Sequence, residues 1–587
     1  MVGNDIFAAT ISEPVYRIAA KWTPASWEFP MREIMLTALV WICVVLPASM
    51  TLAATPAPDT ILFNGKIFTA EGQKFVQALA IQGDRIEAVG DSAQIHKLAG
   101  SLTKQIDLGG RTVIPGLNDA HNHMRIRPAD LVDLQFTGPN PRRPEVMQAI
   151  ANAVSKYPTG TFLSATISTA IFRDSKVYRG SLDLVAPNHP VILTTFTGHA
   201  SILNSAALTK LGIGENEPDP LGGRYERSED GRLSGVLREY ASVRVSRKLA
   251  DLTSDKDAIV DLRETLADAA EHGITTLQVM SEKMTPARYV DLLKQVPTPL
   301  RVRIMRMPMT MSTGRDLNEG LSMPRNPAPL ITISGTKWLL DGVPIEGTFA
   351  PRQGLVSSPA RRTEPFFGHL QMIFPTKELD AMLRETIQTD DQLLVHVTGY
   401  AASAAMLDAM QKAGGEKVWA TRRVRFEHGD ALFPDLIPRV KQLGIIVVEQ
   451  GTHLDMTGIA PEVMPSIRAE KSQPMRSLLA AGIPLVLSSD EDGPSNPFLE
   501  IMLAIKHPNH PSEAISRKQA VIAYTLTAAY AEFAEKEKGS LAAGKLADLA
   551  VLSQDIFTVA SDDLPRTVSV MTMVGGKMIY DAHLLRN

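Results

Sequence analysis

The sequence predicts an α/β fold: a (β/α)8 TIM barrel with a small β-sandwich built from both chain ends. Three observations carry that expectation. Through the middle of the chain, short apolar runs rich in β-formers alternate with segments whose apolar residues recur at three- and four-residue spacing, the pattern of strands joined by crossover helices. Both ends read instead as short strands broken by tight turns. At 587 residues the chain exceeds what one core usually supports, so a large domain with a smaller companion is expected.

In chain order, the first segment stands outside this fold. Residues 1–30 precede a second start-like methionine, Met31, and are an extension if translation begins there. Residues 31–54 carry Arg32, an apolar run over 36–47 and small residues around Ala53 and Ala54, the layout of a secretory signal peptide. The run is much shorter than the ~20 residues of a membrane-spanning helix. The segment is therefore expected to be removed, leaving a periplasmic or secreted protein with no stable membrane span; the competing reading is a cytosolic N-terminal helix. The single cysteine, Cys43, falls in this run. Disulfides, cysteine zinc sites and cysteine nucleophiles are thereby excluded from the body of the protein, and any metal must be held by histidines and carboxylates.

Residues 55–115 form the first part of the sandwich, with alternating apolar and polar residues over 59–108 between turns at Asn64-Gly65, Glu71-Gly72, Gly83-Asp84 and Gly90-Asp91. The barrel is expected over 116–530, with an inserted subdomain over about 125–255. Between the two chain ends the β-rich runs are 191–195, 275–279, 330–333, 393–397, 424–426, 445–448 and 485–488, and helical spacing is clearest over 382–389, 401–413 and 434–443. Residues 531–587 return to strand patterns at 547–552, 568–574 and 577–580 and complete the sandwich.

Charge and composition remove several function classes. Lysine and arginine number 60 against 64 acidic residues, and no stretch interleaves basic with aromatic residues, so nucleic acid is not an expected partner. With 44% hydrophobic and 21% charged residues and no low-complexity tract, disorder is not expected either. A small-molecule substrate is the expected partner; homo-oligomerisation is left open.

Chemistry concentrates at strand ends. After residues 113–116 comes Asp119-Ala120-His121-Asn122-His123. Histidines two apart on a strand share a face, so both imidazoles can reach one cation; the alternative is a polar loop that happens to hold two histidines. His396 and His428 each close an apolar run, and in a barrel the carboxyl ends of strands line the active mouth, although a lone strand-end histidine can simply be a hydrogen-bonding residue. Asp490 follows the run 485–489. A carboxylate beside a metal can ligate it and accept a proton from water; the alternative is a helix N-cap. Lys337, on composition alone, reads as a surface lysine.

The succession His-x-His, Lys337, His396, His428 and Asp490 between β-rich termini resembles the amidohydrolase superfamily, specifically its YtcJ-like branch, which contains N-substituted formamide deformylases. The resemblance runs from about Asp59 to Tyr580. It is carried by Asn64-Gly65-Lys66-Ile67-Phe68-Thr69, Pro115-Gly116 through His123, Gly198-His199 to Asn204, Lys337 with Asp341-Gly342, Arg425 to His428, Ser489-Asp490, and Gly539-Ser540-Leu541 to Asp548. It implies a barrel of the metal-dependent hydrolase type. It further implies one ion on His121, His123 and Asp490, a second on His396 and His428, and Lys337 as a bridge carboxylated on its side-chain nitrogen; the cofactor would be one or two divalent ions, zinc by expectation.

Two departures stand out. The family commonly has Gly-Asp where this chain has Gly399-Tyr400, and Gln-Pro-x-x-His where it has Gln450-Gly451-Thr452-His453. Tyr400, His453 and His199 are the candidate substrate contacts, His199 alternatively being a structural hydrogen-bonder. Arg425 and Glu427 lie in the matched strand, but alternate residues face opposite ways, so they are assigned to supporting the barrel and given no catalytic role. The reaction expected is hydrolysis of a non-peptide carbon–nitrogen bond, in an amide, N-formyl, N-acyl or cyclic amide substrate, by metal-activated hydroxide with Asp490 carrying the proton. The alternatives are the same site acting on an ester, lactone or phosphoester, and a catalytically silent binding or regulatory protein.

Overall fold

Eight strands, each parallel to its neighbours, follow one another in chain order around a barrel: β1 (Leu117–Asn122), β2 (Ile274–Met280), β3 (Arg301–Arg306), β4 (Ile331–Leu339), β5 (Leu393–Val397), β6 (Arg425–His428), β7 (Ile446–Gln450) and β8 (Leu485–Ser488). They belong to a computed structural model that describes residues 56–585, apart from 298–299, 344–371, 390, 456–471 and 494. Residues 57–587 form one unit and residues 1–56 another. The expected signal segment, with Cys43, lies outside the described residues. Among the described residues no helix is long and apolar enough to cross a membrane.

Strands β2, β5, β6, β7 and β8 are buried along their whole length, as a parallel sheet covered by helices requires. The helices Asp255–Glu271, Thr376–Thr389 and Tyr400–Lys412 present Leu262 and Leu266, Leu379 and Leu383, and Met406 and Met410 to the outer barrel core, the last two of them where three- and four-residue spacing is read in the sequence. The seam between β8 and β1 is closed just beyond the strands: the amide of Asp490 donates to the carbonyl of His121 (2.7 Å) and that of His123 to Glu491 (2.9 Å). Entry into β1 needs glycine at 116, because a Cβ there would run into the Thr275 side chain of β2.

One barrel strand escaped the sequence reading. Val191–Thr195, inside the span expected for the inserted subdomain, lies in a separate sheet, parallel to Leu163–Ile167 and antiparallel to Ala200–Leu203. The strand that completes the eight, β3, reads Arg-Val-Arg-Ile-Met-Arg, which does not look like a buried strand. It is tolerated because each arginine finds a partner: Arg301 donates to Asp548, Arg303 to Gln278 and Gln392, and Arg306 pairs with Asp391.

The separate sheet has six strands, in the order Gly223–Arg227, Leu233–Glu239, Ala200–Leu203, Val191–Thr195, Leu163–Ile167, Val132–Asp133. One face packs around Leu163, Leu193 and Ile202, the other around Ile192, Leu203 and Leu237, the two-residue alternation of a sheet covered on both sides. A tie to the barrel runs through Tyr240, whose hydroxyl accepts the amide of Leu339 in β4 (3.1 Å). The chain ends meet as expected: Leu549–Leu552 pairs antiparallel with Thr112–Pro115, in register Leu549 to Pro115. Leu62, Ile67 and Ile106 share one core with Leu549, Val551 and Met571.

Candidate metal centre

The barrel brings the histidines and Asp490 to one mouth. His121 lies in β1 and His123 just past it, their rings 5.3 Å apart. His428 ends β6, with ring centroids 5.4 Å from His121, 4.5 Å from His396 and 5.2 Å from His453. Asp490, two residues beyond β8, sits among them. Its Oδ1 is 3.0 Å from Nε2 of both His121 and His123, and its Oδ2 is 3.8 Å and 3.7 Å from Nε2 of His428 and His453. Lys337, in β4, places Nζ 2.7 Å from Nε2 of His121.

Backbone conformation makes this convergence possible. His428 (φ 74°) and Asp490 (φ 56°) both occupy the left-handed region, which is costly for residues other than glycine and clusters at functional sites. In β6, Arg425 and Glu427 face the barrel interior, where Arg425 donates to Gln278 and to the carbonyl of Ala120. Strict alternation would then send His428 outward. The left-handed turn at His428 breaks the alternation and puts Glu427 and His428 on the same side, so the expectation that they face opposite ways fails at this strand end.

Charge is arranged behind the ring nitrogens. Glu427, wholly buried, brings Oε2 to 2.8 Å from Nδ1 of His121 and is gripped from behind by both arms of Arg425 (2.7 and 3.0 Å). Glu282 brings Oε1 to 3.3 Å from Nδ1 of His123, and Gln450 Oε1 lies 2.7 Å from Nδ1 of His428. Such partners fix the orientation of ligating imidazoles. Burial opposes the charge on Asp490, yet His121, His123 and His428 hold its carboxyl well below the usual range. Burial likewise opposes ionisation of Glu282, but His123, Lys283 and Lys337 bring it down to about 2. His123 is pushed the other way: burial lowers it, Glu282 and Asp490 outweigh that, and it rises to about 9. Burial, then repulsion from neighbouring cations, lowers His396 and His428 well below the ordinary histidine value, and burial lowers Lys337.

Imidazole nitrogens converging on a carboxylate, those of His121, His123 and His428 backed by acceptors, fit a divalent cation. The donor atoms of His121, His123 and Asp490 lie within 4.8 Å of one another, as do those of His428, His453 and Asp490. His396 stands apart from both sets, with Nε2 3.4 Å from the carbonyl of Gly342. His199 reaches the mouth from the inserted sheet: its ring centroid is 4.6 Å from that of His396, and Nδ1 is 2.6 Å from Glu239 Oε2. Tyr400, which starts the helix after β5, donates its hydroxyl to Asp435 (2.6 Å) and stacks on Phe433.

Sequence reasoning passed over Glu282, Glu239 and the role of Glu427. Glu282 was within reach, since it follows β2 as the histidines follow their strands, and the same strand-end rule finds it. Glu239 was not, because its meaning depends on how the inserted sheet lies against His199.

Comparison with known proteins gives a consistent result. The profile of the Amidohydrolase family matches residues 104–580. The chain is 27% identical to Protein LONG AFTER FAR-RED 3 of Arabidopsis thaliana, over 94% of this chain and 99% of that one. It is also 27% identical to the N-substituted formamide deformylase of Arthrobacter pascens, over 90% and 99%. Among solved structures, a metal-dependent hydrolase from Pyrococcus horikoshii OT3 superposes with a TM-score of 0.62 at 19% identity, covering 86% of this chain and 99% of that one, and so shares the fold.

Proposed function

The chain belongs to the amidohydrolase family, and from that premise we propose that it hydrolyses a small N-formyl, N-acyl or cyclic amide at the barrel mouth. At the coarser level it is a metal-dependent hydrolase of carbon–nitrogen bonds other than peptide bonds. The observation that carries the reading is the convergence of His121, His123, His428 and His453 on the two oxygens of Asp490. The likeness to a formamide deformylase supports the choice of N-formyl compounds as first substrates.

His121, His123 and Asp490 would hold the divalent ion, zinc in our reading, and Lys337, beside His121, would join them as a carboxylated ligand. Such an ion lowers the pKa of water and polarises a carbonyl. The protein's own part is to place groups. Glu427 and Glu282 steady His121 and His123. Asp490 takes at a carboxylate oxygen the proton that the attacking water loses, and gives it to the nitrogen as the carbon–nitrogen bond breaks. His199, steadied by Glu239, and Tyr400 are our candidate substrate contacts. The signal-like residues 31–54 support a periplasmic or secreted setting.

The test is a matched panel of N-formyl, N-acetyl and cyclic amides beside the ester of one scaffold, assayed with protein of measured metal content. Amide turnover lost on chelation and restored by zinc is the expected result. Turnover of the ester with none of the amides would overturn the substrate class; no turnover of any compound by metal-loaded protein would favour a binding or regulatory protein. Intact-mass measurement under gentle conditions tests Lys337, which should carry the added mass of one carbon dioxide.

A further inference from the structure

We propose that Glu449, Asp430 and Gln473 form a site for a hard divalent cation, calcium or magnesium, on the outer side of the barrel wall and apart from the centre at the mouth. No ligand of that centre takes part, and the site does not depend on any substrate.

The direction of Glu449 is the first argument. In β7, Ile446 and Val448 pack with Ala120 and Val486 inside the barrel, and Gln450 turns to His428. Val447 and Glu449 therefore take the opposite face, where Val447 shares the outer core with Leu432 and Val440. Glu449 is 0% exposed there, and both of its carboxylate oxygens lack a hydrogen-bond partner.

Other buried acids show how unusual this is. Glu427 is gripped by Arg425, Glu532 by Lys538 and Asp548 by Arg301. Asp341 gives its two oxygens to the amides of Thr398 (3.0 Å) and Gly399 (2.7 Å). A buried carboxylate is tolerated when it is paired, hydrogen-bonded or bound to a metal. Among the described residues Glu449 has neither of the first two, which leaves the third.

Further oxygen donors stand beside it. Asp430, two residues past β6, is close enough for its charge to act on Glu449, and its Oδ1 is buried without a partner. The side-chain amide of Gln473 lies against the Asp430 carboxylate. Gln473 is only 2% exposed, yet its Oε1 is also unpartnered. Its backbone is pinned: the amide donates to the carbonyl of Asp430 (2.7 Å), and its own carbonyl lies 2.9 Å from Nε2 of His507. Nδ1 of His507 accepts the amide of His510 (3.0 Å), so the proton of His507 sits on Nε2 and is donated to Gln473. Two carboxylates and an amide oxygen, with no nitrogen or sulfur donor, suit calcium or magnesium rather than zinc.

The experiment uses the full chain, stripped, reloaded with zinc, and titrated with calcium chloride or magnesium chloride by calorimetry and elemental analysis. Wild type should take up one ion per chain beyond its zinc, with a melting temperature that rises with the concentration of that ion. E449Q, close in shape, should lose both responses, and D490N, damaged at the mouth, should keep them. Uptake that survives in E449Q, or that disappears in D490N, would overturn the proposal. So would a wild type that takes up neither ion and is stabilised by E449Q, because the two carboxyls would then hold a proton between them. Circular dichroism checks the fold of each variant; if E449Q does not fold, D430N and the wild-type titration decide in the same terms.

Discussion

The floor and the mouth of the barrel are built from similar polar residues and put them to different uses. At the floor, polar groups satisfy one another: Glu532 takes Asn118 (2.6 Å) and Lys538 (2.7 Å), Lys538 also donates to Thr276 (2.7 Å), and Gln278 joins Asn118, Arg303 and Arg425. At the mouth, four imidazoles crowd one carboxylate and the backbone is held in costly left-handed turns at His428 and Asp490. Satisfied buried pairs specify and rigidify a core; convergent donors on strained backbone make a binding site. Arg425 and Glu427 join the two regions, one end in the floor network and the other at His121.

Substitutions at each end should separate the two roles. The largest effect is expected from Asp490→Asn, which should lower kcat by about 10²–10⁴, the usual worth of a proton-transferring group, while leaving thermal stability near that of wild type. A variant that keeps its rate would remove the mouth's special status. Lys538→Met at the floor should do the opposite: it leaves Glu532 a buried charge short of its cation, costing about 3–5 kcal/mol in denaturant unfolding, with metal content unchanged. At the joint, Glu427→Gln should show both effects, weakening metal affinity about 10–100-fold as well as stability; a change in stability alone would confine Glu427 to the floor.

A pH measurement sharpens the same contrast. In metal-free protein His123 is raised to about 9 from an unfolded value near 6.5. Its contribution to stability is then fully present below about 6.5 and lost as pH rises towards about 9, because the folded state binds the extra proton over that window. Metal affinity should rise across the same range as the competing proton leaves. Chemical denaturation of the stripped protein at a series of pH values checks this, and the slope should vanish in His123→Gln. The smallest effect is expected from Tyr240→Phe, which leaves the amide of Leu339 without its acceptor and should cost about 1–3 kcal/mol, read as a lowered melting temperature with metal content intact.

How far the sequence carried depends on the kind of residue. The barrel was legible because parallel strands buried on both faces must be apolar runs, and it failed only at β3, where Arg301 and Arg306 are paired with Asp548 and Asp391 and Arg303 hydrogen-bonds Gln278 and Gln392, partners remote in sequence. Val191–Thr195 reads in the same series of apolar runs but belongs to the inserted sheet, because an apolar strand looks the same there as in the barrel. The histidines and Asp490 were legible because they end such runs.

By itself the sequence determined that apolar strands alternate with helices through the middle of the chain, that both chain ends are β-rich, and which side chains could bind a cation, since periodicity, turn residues and ligand chemistry are local properties. Only the tertiary structure decided that Glu427 and His428 share a side, that Glu282 and Glu427 stand behind His123 and His121, and that His453 joins His428 beside Asp490. Those outcomes turn on a left-handed backbone angle and on contacts between residues tens to hundreds of positions apart, which no local pattern encodes.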